Sequence, residues 1–117
     1  MVVIDTCPLY YSPVGHHLFS YFDRETLPWA HLYKDFDDLL KTHPIDSWTW
    51  PLFQQLNKIK AGELRDLATG VGFKIVDEHG SRVDSNLLHR VKDRLRTEDI
   101  PPEGDLLHEW IRLYLRR

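Results

Sequence analysis

An apolar, β-branched run, VVIDTC, fills residues 2–7 and is stopped by Pro8. Such residues suit a buried, pleated strand, and a proline withholds the next ladder donor. A strand that begins at the second residue has no lead-in. Nothing upstream pairs it, so it would present an apolar sheet edge, and the chain reads as the back half of a larger arrangement.

Two further strands are expected. FKIV, residues 73–76, follows the Gly70 and Gly72 pair, and the closing EWIRLYLRR alternates Ile111, Leu113 and Leu115 against Trp110, Arg112, Tyr114 and Arg116. That period of two marks a half-buried strand over Trp110–Arg116. Helical spacing appears at Phe36, Leu39 and Leu40 in residues 35–42 and at Leu64, Leu67 and Ala68 in residues 63–69. It recurs at Leu87, Leu88, Val91 and Leu95 behind a cap at Asp84 or Ser85. Pro51 fits a first helical turn, so PLFQQL reads as a short helix opened from Ser47. Residues 8–33, with three prolines among them, read as a long irregular segment, and residues 97–104 as a polar connector. A strand–helix–strand order favours a parallel pair with a right-handed crossover, the last strand inserting in the opposite sense. The expected fold is therefore α/β, with about three strands and flanking helices.

At 117 residues the chain is expected to form a single domain, residues 1–117. Fifteen basic residues stand against 18 acidic ones with the signs interspersed, which argues against a nucleic-acid partner. There is no apolar run of about 18 residues and no basic, cleavable leader, so neither a membrane span nor export is expected and the protein reads as cytoplasmic. The lone Cys7 allows no internal disulfide and is expected to be inert core. Of the 14 aromatic residues, 11 lie between Tyr10 and Phe53, with four of the seven histidines. That skew suggests a pocket wall.

Three stretches resemble the C-terminal half of an S-adenosylmethionine-dependent methyltransferase of the class I, Rossmann-like type. They are VVIDTCPLYYSPVGHHL with LPWAHL, then WTWPLFQQLNKI leading into ELRDLATGVGFKIV, and finally DLLHEWIRLYLRR. The resemblance covers nearly the whole chain. It implies a partial Rossmann-like sheet of two parallel strands, residues 2–7 and 73–76, with the last strand antiparallel between them. It also implies S-adenosylmethionine as cofactor and a small-molecule methyl acceptor as partner. The glycine-rich loop and the ribose-holding acid of that family lie upstream of these stretches, so no cofactor-binding residue is expected here and the chain alone would not be catalytically competent. Gly70 and Gly72 lie between helix and strand, the reverse of a nucleotide loop, and read as a helix stop.

Tyr10, Tyr11, Ser12, Gly15, His16, His17, Trp29 and His31 would sit beyond the carboxyl end of the first strand, where open α/β sheets place ligands. They are the expected substrate-binding residues. His16, His17 and His31 are the candidate general bases, because an unperturbed imidazole titrates near working pH. The bland alternative is that these rings pack the loop against the sheet. A zinc site from His16, His17, His31 and His43 is disfavoured: adjacent histidines in extended chain diverge, and no HxxxH, HxH or cysteine-paired spacing occurs. No metal is expected. Trp48, Trp50 and Phe53 are expected in the core, Asn57 as a helix cap or stop, and Arg112, Arg116 and Arg117 on a solvated face. Two other functions remain open, a non-catalytic module that dimerises or binds through the open edge of residues 2–7, and a small histidine-dependent metalloenzyme.

Overall fold

The computed structural model describes residues 1–18, 21–35, 38, 41–42, 45–96 and 100–117. Three strands, β1 (Val2–Thr6), β2 (Lys74–Arg82) and β3 (His108–Arg116), make one sheet in the order β1-β3-β2. β3 takes the middle because its inward residues are the most apolar of the three: Ile111, Leu113 and Leu115 are wholly buried. Both ladders are antiparallel, with Val2 opposite Leu115 and Thr6 opposite Ile111 on one side, and Lys74 opposite Arg116 on the other.

This corrects the expected Rossmann-like sheet. The last strand does lie between the other two, but it pairs antiparallel with both, so every ladder of the sheet is antiparallel and no parallel ladder occurs among the described residues. The observed architecture is a small α/β arrangement on a three-stranded antiparallel sheet.

One helix packs on the inward face of the sheet. α1 (Ala30–Tyr33) and α2 (Thr49–Gln54) are short, and α3 (Ala61–Gly70) is the longest. α3 starts where the Glu63 carboxylate accepts the Lys60 N–H at 2.8 Å, one half of a capping box. It ends in a Schellman pattern, Phe73 N–H to Ala68 O at 3.1 Å and Gly72 N–H to Thr69 O at 3.0 Å, with Gly72 at φ 90°. Its Ala61 and Ala68 pack with Leu9 on the inward residues of β3. Arg65 forks onto Glu78 through two hydrogen bonds of 2.7 Å, clamping α3 to β2.

A second cluster joins Tyr11 and Trp29 to Val83, Leu87, Leu88, Val91, Leu95, Leu106 and Leu107. It unites the loop after β1 with α4 (Ser85–His89), a 3₁₀ turn at Lys92–Arg94 and α5 (Glu103–Leu106). Asp84 caps α4 as expected, accepting the Asn86 N–H at 2.9 Å. The helix nevertheless stops at His89, and Val91 and Leu95 reach the cluster from the turn that follows. The expected helix over residues 35–42 falls largely outside the described residues.

Other expectations shift in detail. β2 runs through His79 and Ser81, well past Val76, with register shifts between Ile75 and Asp77 and between Ser81 and Arg82. α2 is opened by Asp46, whose carboxylate accepts the Trp48 and Thr49 N–H groups at 2.9 and 2.8 Å, not by Ser47. Trp48 is 78% exposed and so is not core, while Trp50 stacks on Phe53 with ring centroids 5.2 Å apart. Asn57 neither caps nor stops a helix: its side chain accepts the Ile59 N–H at 2.6 Å in a local turn.

Candidate ligand-binding cleft

The chain leaves β1 through a tight series of turns. Leu9 N–H donates to Glu109 O at 2.8 Å, extending the pairing with β3, and Ser12, Gly15 and His17 then donate back to Leu9, Ser12 and Val14. Gly15 is dictated by space, since a Cβ there would lie 1.9 Å from the Tyr10 carbonyl oxygen.

Trp29 locks this loop to the PWAHL segment. It is fully buried, its indole N–H donates to Tyr11 O and its backbone N–H to Pro13 O, both at 2.8 Å. Holding both contacts puts Trp29 at φ 55°, a left-handed conformation rare for a bulky residue. α1, which starts at the next residue, carries His31 under the loop. Its Nε2–H donates to Tyr10 O at 2.6 Å, and its ring meets Tyr10 edge-on at 4.9 Å and His16 edge-on at 5.4 Å.

The same bond defines the tautomer. With the proton on Nε2, Nδ1 of His31 carries a lone pair, and it is buried without a hydrogen-bond partner among the described residues. Burial, helped by His16, pushes the His31 imidazole down to about 3, and burial beside His17 pushes His16 down to about 4. Both rings are neutral at pH 7. A base this weak does not abstract a proton near neutrality, so His31 is suited to accept a hydrogen bond from a ligand, and the general-base role expected of these two histidines is not favoured.

A cleft of about 390 Å³ opens against these rings, lined by Tyr10, Tyr11, His31, Leu32, Lys58, Lys60, Arg96 and Ile100. Three of the expected site residues, Tyr10, Tyr11 and His31, are therefore brought to one wall. Ser12, Gly15, His16 and Trp29 are buried behind it as its support. His17 turns away, is exposed, and donates through Nε2–H to Pro8 O at 3.2 Å beside a smaller hollow that also holds Cys7 and Asn57.

The basic half of the lining was not singled out in the sequence. Lys58 and Lys60 alternate in NKIK, and residues two apart in extended chain share a side, which was the available signal. Arg96 carries none, because it arrives from the far end of the second cluster, tied by its N–H to Leu32 O at 3.3 Å.

Other candidates do less. A wider depression of about 630 Å³ lies over the exposed Leu67 of α3 and Val71 just beyond it but lacks a convergent set of buried polar groups. Cys7 is exposed, not core, and partial burial with Glu109 and Asp5 nearby pushes its thiol up, away from thiolate. Among the described residues no three metal-ligating side chains gather, and His43 lies outside them. No helix among the described residues is long and apolar enough to cross a membrane. Comparison with family models, with curated proteins and with solved structures finds no match to this chain.

Proposed function

We propose that this chain is the acceptor-side part of an S-adenosylmethionine-dependent methyltransferase, with the cleft beyond β1 receiving a small-molecule methyl acceptor. The supporting observation is that PLYYSPVGHH and PWAHL, two stretches that carry the family resemblance, converge through Trp29 and His31 on one cleft wall. In this reading Tyr10 and Tyr11 provide ring faces for the acceptor and His31 Nδ1 accepts a hydrogen bond from it. Transfer depends on holding donor and acceptor in line, and the donor is held by polypeptide outside these residues.

The test pairs two measurements. Calorimetric titration of the folded chain with S-adenosylhomocysteine is expected to give no binding. Tritiated S-adenosylmethionine with a small-molecule extract is expected to yield labelled product only when the chain and a lysate supplying the donor-binding part are both present. Label formed by the chain alone would overturn this division of labour, and no chain-dependent label would overturn the function.

One observation favours a second reading, a module that associates through β1. That strand is a sheet edge, with Met1, Val2 and Val3 exposed. Sedimentation would then show a dimer that Val3→Lys dissociates.

A further inference from the structure

The cleft has a charge character opposite to that of the chain. The sequence carries three more acidic than basic residues, yet among the described residues three bases and no acid line this cavity. Lys58 Nζ stands 5.4 Å from the centre of the Tyr10 ring and Lys60 Nζ 6.0 Å from that of Tyr11, so both ammonium groups are drawn to the aromatic wall. Lys60 is partly neutralised by Glu63, 3.5 Å away on the outer side. Lys58 and Arg96 make no ion pair with another described residue. His31, whose Nδ1 is one of four buried side-chain atoms without a partner among the described residues, lines the same cleft, as do the apolar Leu32 and Ile100.

We propose that the occupant is a small anionic compound with a planar or apolar body and a hydroxyl group. Its carboxylate or phosphate group is held by Lys58, Lys60 and Arg96, and its hydroxyl donates to Nδ1 of His31. This deepens, and rests on, the reading of the cleft as the acceptor site. About 390 Å³ suits a single-ring compound. The cleft carries both a neutral imidazole and three cations, so a ligand lacking either the hydroxyl or the anionic group leaves one of these partners unmatched.

The experiment is calorimetric titration of the whole chain with 4-hydroxybenzoate, its neutral isostere 4-hydroxybenzamide, benzoate and phenyl phosphate. 4-Hydroxybenzoate is expected to bind at least about tenfold more tightly than the amide, and more tightly than benzoate. Benzoate against phenyl phosphate then tells a carboxylate site from a phosphate site. Lys58→Ala and Arg96→Ala, both at exposed positions, are each expected to weaken 4-hydroxybenzoate about tenfold, whereas Leu67→Ala leaves it unchanged. Equal binding of acid and amide, no saturable binding of either anion, or indifference to both cation variants would overturn the anion assignment. Selective anion binding without any chain-dependent methyl transfer would instead overturn the acceptor reading alone.

Discussion

Two glycines and two histidines carry the sharpest residue-level consequences. Gly15→Ala forces a Cβ to within 2.5 Å of both the Tyr10 and Leu9 carbonyl oxygens, so it should cost at least the upper end of the about 1–3 kcal/mol typical of overpacking. Gly62→Ala, in α3 with nothing within 4 Å of the new Cβ, should stabilise by about 0.5–1 kcal/mol. Urea unfolding of the pair decides both signs. For the histidines, an unfolded imidazole takes its proton near 6.5 while His16 and His31 in the fold wait until about 4 and 3. The unfolded chain therefore binds more protons between those values, and stability is lost as pH falls from about 6.5 toward 4, by up to about 1.4 kcal/mol per pH unit for each ring. Urea midpoints at pH 7, 6 and 5 should fall progressively, and His16→Gln should flatten the fall. A level profile would mean that these rings are solvated. The aromatic skew of residues 10–53 marked the cleft wall, and Tyr10, Tyr11 and His31 were legible from it. What was hidden was the burial of His16 and His31, because a histidine pattern does not reveal how much water each ring will lose.

The short segments show where spacing informs and where it does not. β3 was readable because strict alternation buries one set of side chains whatever the neighbours, and Leu113→Ala in its centre should cost about 2–5 kcal/mol. The exposed Leu67→Ala on α3 should stay within about 0.5 kcal/mol, a contrast that thermal unfolding resolves. β2 was read as four residues and runs to nine, because pairing with β3 recruits polar residues whose propensity gives no warning. α4 was read too long for the reverse reason: Val91 and Leu95 keep helical spacing but reach the core from a 3₁₀ turn. The last strand takes the centre as expected, but the Rossmann-like sheet with a parallel pair was misjudged, because both ladders of β3 are antiparallel and local pattern does not supply the further strands that parallel pairing needs. Arg65→Ala, which releases the fork to Glu78, should loosen α3 from the sheet by about 1 kcal/mol, readable in amide exchange of Lys74–Glu78.

Over the whole molecule, the sheet buries Ile111, Leu113 and Leu115 under α3 and leaves Trp110, Arg112 and Tyr114 half-exposed on the other face. There Arg112 pairs with Asp5 and lies 6.0 Å from the Trp110 ring, while His79 meets Tyr114 edge-on at 5.4 Å. That face is finished with charge and aromatic edges. The cleft beyond β1 is instead walled by a buried neutral histidine, two tyrosines and three cations, and the account of function rests on its being the occupied one. The most direct test is solution NMR of the ¹⁵N-labelled chain during titration with 4-hydroxybenzoate. The account predicts saturable shifts at Tyr10, Tyr11, His31, Lys58, Lys60 and Arg96 with the Leu67–Val71 surface silent; shifts confined to that surface or to the Trp110–Tyr114 face, or none at all, would contradict it.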